Sequence, residues 1–214
     1  MDSKKSLILA AALLVGTSAA SAEGLGVSVN AGLVGLGLGA GADITYSVNP
    51  SVNVRGGFMQ GSKSANVTLN SNDYAATMKT STMGLFADWM IFQGDLRLTA
   101  GYVTNGGSIG LSAAAGSTID FGLGVPITLT SPLSADVKFK ASPYVGIGWG
   151  NAAQKNDTIG FNMDIGLLID ASPSVAITAA DATAAQITTL ESNIAGNSSV
   201  KALPVITVGL TYHF

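Results

Sequence analysis

The sequence has no cysteine and a single histidine in 214 residues. The first absence excludes disulfide staples, and both together exclude the usual ligand sets of a zinc site. Charge is also scarce: Asp, Glu, Lys and Arg make up 11% of the chain, against about 25% in ordinary globular domains. With 10 basic and 13 acidic residues the net charge is −3, which offers no basic surface for nucleic acid. A long helical membrane span is missing as well. Leu7–Val15 is too short to cross a bilayer, and the apolar stretch from Gly24 to Ala42 places glycine at every second position from Gly35 to Gly41. Each glycine costs a helix roughly 1 kcal/mol.

The chain does carry an export signal and a period of two. Lys4 and Lys5, the apolar run Leu7–Val15 and the small residues Ala20-Ser21-Ala22 have the layout of a secretory leader. Residues 1–22 are therefore expected to be a cleaved signal peptide, and residues 23–214 a single domain. Beyond the leader, apolar residues alternate with small or polar ones. Leu36, Leu38, Ala40, Ala42, Ile44, Tyr46 and Val48 oppose Gly37, Gly39, Gly41, Asp43, Thr45 and Ser47. Trp89 shares a face with Leu85 and Ile91, opposite Asp88, while Leu98, Ala100 and Tyr102 oppose Arg97. Val145, Ile147 and Trp149 oppose three glycines, and the chain ends in VITVGLTYHF, with Ile206, Val208, Leu210, Tyr212 and Phe214 on one side. A soluble sandwich would carry Lys, Glu and Thr on the second face. Glycine and isolated charges there fit strands that face lipid on one side and a narrow lumen on the other.

These features predict an all-β fold, a closed antiparallel transmembrane β-barrel with one short helix in an outer loop. Short turn signals at Asn49-Pro50-Ser51, Gln93-Gly94, Lys140–Pro143 and Ser172-Pro173-Ser174 are assigned to the periplasmic side, with longer polar loops outside at 61–80, 104–120, 151–158 and 181–200. The count is then ten strands, near 25–33, 37–48, 52–66, 76–92, 95–110, 127–140, 143–151, 159–170, 174–180 and 202–214. The alternative is eight, with 24–48 as one strand and 113–142 as a loop. Ile187, Leu190 and Ile194 recur at helical spacing, and Gly196 is the expected C-cap.

The ending Tyr212-His213-Phe214 resembles the assembly signal of Gram-negative outer-membrane barrels. SPYVGIGWGN and GFNMDIGLLIDASPSVAIT resemble a group of small proteobacterial outer-membrane proteins, and the alternation over most of the chain is similar to OmpA-like and OmpW-like barrels. The resemblance implies location in the cell outer membrane, and contact with outer-membrane lipids and lipopolysaccharide. It also implies recognition of Tyr212 and Phe214 by the barrel-assembly machinery. It brings no catalytic motif and no cofactor. The peptidoglycan-binding domain that OmpA-type proteins add after the barrel is not matched, so no cell-wall tether is expected.

The charges expected on lumen faces are Asp43, Arg55, Asp88, Arg97, Asp136, Lys138, Lys140 and Asp164. Asp43 with Arg55 and Asp88 with Arg97 flank turns at distances that allow ion pairing. Buried charges persist when paired, so these residues are expected to plug the lumen. The expected role is structural or surface-interacting; a narrow porin-like channel for small or apolar solutes is the alternative. No enzyme is expected: His213, the one histidine, points inward with no serine spaced to meet it.

Overall fold

The computed structural model describes residues 24–69, 72–104, 107–120, 126–151, 153, 158–197 and 202–214. The leader expected at 1–22 lies outside the described residues. The strands are β1 (Leu25–Val34), β2 (Gly37–Asn49), β3 (Val52–Leu69), β4 (Asn72–Met90), β5 (Leu96–Thr104), β6 (Ser108–Ala113), β7 (Thr118–Asp120), β8 (Pro126–Thr128), β9 (Leu133–Phe139), β10 (Ser142–Trp149), β11 (Ile159–Ile169), β12 (Pro173–Thr178) and β13 (Ala202–His213). The helix is α1 (Ala184–Asn197). Eleven strands form one antiparallel sheet, and β7 and β8 pair separately as a hairpin.

Within the large sheet, pairing runs β4-β3-β2-β1-β13-β11-β10-β5, and β5 pairs with β4 again. These eight strands thus form a ring of hydrogen-bonded neighbours. The remaining three, β6, β9 and β12, continue members of that ring. Thr104 pairs with Met83 and Ser108 with Lys79, so β5 and β6 follow β4 in one register. Likewise Tyr144 pairs with Leu168 and Phe139 with Pro173, so β11 and β12 follow the line of β10 and β9. The ring strands β3, β4, β5, β10 and β11 therefore extend beyond the ring as a five-stranded wall, β3-β4-β6-β9-β12.

This corrects the expected ten-strand layout. The segments around Lys140–Pro143 and Ser172–Ser174 are not reversals. Phe139 N–H donates to Gly107 O at 3.2 Å and Lys140 N–H to Ser172 O at 3.4 Å. The three breaks, at Gly107, 140–141 and 170–172, thus lie side by side as a seam across neighbouring strands. Gly107 at φ 107 and Asp170 at φ 55 take the left-handed backbone that the bend needs. One extra residue on the β5–β6 side shifts the register against β9 and β10: Val103 pairs with Ser142, and Ser108 with Lys138. The eight-strand alternative is also partitioned differently: 24–48 holds two strands, and 113–142 contains β9.

The ends of the ring follow. Residues 50–51 and 91–95, the β10–β11 connection and the C-terminus share one end. The β1–β2 turn, the Leu69–Asn72 end of the β3–β4 pair and the described parts of two long insertions, 114–120 with 126–132 and 179–197, lie at the other. The expected outer loop at 151–158 is therefore at the terminal end. Around the insertions a second apolar cluster forms from Ala113, Leu129, Leu133, Ile177 and Ala179, with Ile187 of α1 against it. Thr183 and Gln186 cap this helix reciprocally, Gln186 N–H donating to Thr183 Oγ1 at 3.3 Å and Thr183 N–H to Gln186 Oε1 at 2.8 Å. The helix runs through Gly196 to Asn197, so Gly196 is not its C-cap.

Candidate functional site

Alternation sorts the ring residues into an outer and an inner set. Outside are Ile44, Leu85, Trp89, Ile147, Trp149, Phe161, Leu210 and Tyr212, all exposed. Inside are Ser28, Asn30, Thr45, Asn53, Arg55, Asp88, Arg97, Thr99, Asn162, Asp164 and Thr211, all buried. The inner set stacks in three layers. Toward the terminal end, hydroxyls and amides join: Ser28 to Thr211 at 2.8 Å, Asn162 to Thr211 at 2.8 Å and Asn53 to Asn151 at 2.9 Å.

The middle layer is ionic. Arg55 reaches three carboxylates: Nη1 to Asp43 Oδ2 at 3.1 Å, Nε to Asp88 Oδ2 at 3.0 Å and Nη1 to Asp164 Oδ2 at 3.3 Å. Arg97 Nη2 donates to Asp164 Oδ2 at 2.7 Å, and its Nη1 donates to the carbonyls of Trp149 and Gly150. Thr99 Oγ1 donates to Asp88 Oδ1 at 2.7 Å, and Asn30 Nδ2 to Asp43 Oδ2 at 2.7 Å. The Phe86 ring lies 4.7 Å from the Arg55 guanidinium and meets Tyr144 edge-on at 5.4 Å.

The third layer, toward the insertions, is apolar. Val34, Met59, Val103, Phe139, Tyr144, Leu168, Ala171, Leu203 and Val205 form one buried cluster across the mouth of the ring. Phe139 enters it at the seam. Between this stopper and the ionic layer remains a cavity of about 60 Å³ bordered by Asp43, Arg55, Phe86, Tyr144 and Asp164. At roughly 10–15 Å³ per water position it has room for a few waters.

Five of the eight expected lumen charges meet in this network: Asp43, Arg55, Asp88, Arg97 and Asp164. Asp136, Lys138 and Lys140 do not. They are exposed, on β9 of the wall and at the seam, because β9 continues beyond the ring rather than spanning it. Asp43 pairs with Arg55 as expected, at 3.1 Å, whereas the second expected pair is the weaker contact of each member. Asp88 hydrogen-bonds to Arg55 and stands 3.9 Å from Arg97, whose close partner is Asp164. Tyr212 faces outward, its ring edge-on to Phe214 at 4.9 Å.

The inward glycines do not leave an open bore, because neighbouring side chains lie on them. A Cβ at Gly84 would meet the Phe86 ring at 2.3 Å, and one at Gly101 the same ring at 2.4 Å. The Tyr144 hydroxyl occupies Gly146 and Gly166 in the same way, Asp43 occupies Gly57, and both Asp164 and Arg97 occupy Gly148. Phe86 and Tyr144 are not among the expected lumen residues. Their signal was the glycine at the cross-strand position beside each. Among the described residues no group of three His, Cys, Asp or Glu side chains is arranged to hold a metal.

No protein-family model matches the chain, and no curated protein sequence matches it. Among solved structures, Acinetobacter baumannii CarO2 aligns with TM-score 0.57 at 19% identity, over 89% of this chain and 98% of that one. Acinetobacter baumannii CarO aligns with TM-score 0.56 at 20% identity, over 88% and 97%. At that identity the likeness concerns the fold: an all-β antiparallel sheet that shares its course with CarO and CarO2 over nearly the whole chain.

Proposed function

We propose that this chain is an integral outer-membrane protein, a closed transmembrane β-barrel whose plugged lumen leaves it a structural or surface-interacting role. The observation that carries the reading is the inverted polarity of the ring. Its buried interior is ionic, while its exposed exterior is a continuous apolar surface. Soluble monomers rarely expose contiguous apolar patches beyond a few hundred Å². Tyr46, Trp89, Trp149 and Tyr212 are all exposed near the terminal end of their strands, where an interfacial aromatic girdle is expected. The ring strands, 8 to 13 residues where they span the ring in β1, β2, β5, β10, β11 and β13, suit tilted crossings of a bilayer. The leader-like residues 1–22 and the terminal Phe214 fit export and recognition by the barrel-assembly machinery.

Two filled layers, one ionic and one apolar, support a plug over a narrow channel. Planar-bilayer recording of the purified protein is expected to give little or no steady conductance. Large single-channel steps would replace the plug with the channel reading. Removing Phe214 is expected to leave protein in the periplasm or degraded; normal outer-membrane levels of the truncated chain would remove Phe214 from the assembly signal.

A further inference from the structure

On the outward face of the wall, one cross-strand row consists entirely of serine and lysine. Ser62 pairs with Lys79, Lys79 with Ser108, Ser108 with Lys138, and Lys138 with Ser174. Lys79 and Lys138 are exposed, as is Lys140 at the seam. Among the described residues none of the three forms an ion pair. Strand spacing sets the two lysine backbones of the row about 10 Å apart, so both ammonium groups can close on one anion above Ser108. On the outward face of β4, Trp89, Leu85 and Met83 are exposed apolar residues, and Ser81, Lys79 and Thr77 follow. Lys79 is four residues beyond Met83, about 13 Å along the strand and less along the membrane normal once the strand tilts. A lysine stem reaching back toward the apolar belt puts its charge at headgroup depth.

Building on the barrel reading above, we infer that the row Lys79–Ser108–Lys138, with Lys140 beside it, binds the phosphate of a glycolipid headgroup in the outer leaflet. The chain as a whole is acidic, with net charge −3. Its described lysines are nonetheless Lys63, Lys79, Lys138 and Lys140, all near this level. Lys63 pairs with Met78 and takes the opposite face of the wall, which makes it an internal control. The serine hydroxyls supply neutral donors between the charges. The next row on this face runs Gly110–Asp136–Ala176: it is small at both ends, and its one exposed carboxylate, Asp136, lies over Gly110, so the cationic strip is the lysine–serine row itself.

The test uses the purified protein in phosphatidylcholine nanodiscs containing a small fraction of lipid A. Wild type is expected to retain lipid A over phosphatidylcholine by about tenfold. The double variant Lys79→Gln/Lys138→Gln should lose most of this enrichment, and Lys63→Gln should keep it. Lipid A stripped of its phosphates should not be enriched, and millimolar inorganic phosphate should not displace the lipid. Equal retention by the double variant, or enrichment of the dephosphorylated lipid, overturns the inference. Displacement by free phosphate also overturns it, since the row would then be a general anion site. Quenching of Trp89 and Trp149 fluorescence by brominated lipid separates the two readings. With quenching but no enrichment, the lipid site fails and the barrel stands. Without quenching, both fail.

Discussion

Ile147 sits in mid-β10 at 46% exposure, with Gly146 and Gly148 on either side facing the filled interior. Its side chain can only contact whatever surrounds the ring. If that is hydrocarbon, Ile147→Arg should cost roughly 2–4 kcal/mol near the bilayer midplane, read as a lower denaturant midpoint for the protein folded into vesicles. An unchanged midpoint would mean that this face meets water. At this scale the sequence was highly legible, since strict alternation dictates which side of a strand each residue takes. Trp89 and Asp88 fall on opposite faces for that reason alone. Which charge meets which was much less legible. Asp43 meets Arg55 across their shared turn, but Arg97 reaches Asp164 over Gly148 of the strand between them and Arg55 reaches Asp164 across the ring interior, and such contacts depend on how eight strands stagger rather than on distance from a shared turn.

The strands themselves show where local signals mislead. Lys140-Ala141-Ser142-Pro143 and Ser172-Pro173-Ser174 contain the residues of a turn, yet the chain continues in the same direction through both. Proline fits there because Pro143 and Pro173 open or nearly open a strand segment after the seam interrupts the ladder. Gly-, Pro- and Ser-rich breaks thus mark a bend as readily as a reversal, and only the pairing partners distinguish the two. The Ile187, Leu190 and Ile194 spacing predicts the helix of the insertion that carries α1. Its Thr183–Gln186 cap is equally a sequence signal. What anchors that insertion is Asp181, which accepts from Thr130 Oγ1, from Thr130 N–H at 2.9 Å and from Ser131 N–H at 2.8 Å. The Thr130 hydroxyl, followed by the Ser131 amide, holds this carboxyl below its usual range. The anchor is therefore fully present above the ordinary aspartate value near 3.9, and is lost as pH falls through the lower folded value. Amide exchange at Thr130 and Ser131 should accelerate between about pH 5 and pH 2, relative to the intrinsic rate. Asp181→Asn should show faster exchange throughout and little of that pH dependence. Protection in wild type that is flat across this window would remove Asp181 as the anchor.

For the whole molecule, the decisive relation is between the ionic layer and the space it fills. Arg55 bonds to three carboxylates on β2, β4 and β11, so it ties three ring strands together through the interior. Arg97 ties β5 to β11 and to the carbonyls beyond β10. If the interior is dry apart from a few waters, Arg55→Ala strands Asp43 and Asp88 without their bonded cation, and the loss should reach about 3–5 kcal/mol. Arg97→Ala should cost less, because Asp164 and Asp88 both keep Arg55. Shortening either arginine also empties part of the bore, so conductance should rise with Arg55→Ala even though the apolar stopper of Phe139, Leu168 and Leu203 remains. If the lumen is instead watery, the same pairs contribute about 0–1 kcal/mol each, and both variants would alter ion selectivity with hardly any loss of stability. Measuring the unfolding midpoint and bilayer conductance on the same two variants therefore distinguishes a plug from a pore. A plug requires stability to fall in the order Arg55→Ala, then Arg97→Ala, as leakage appears. Equal, small stability changes accompanied by shifted reversal potentials would mean that the charges line a conducting path.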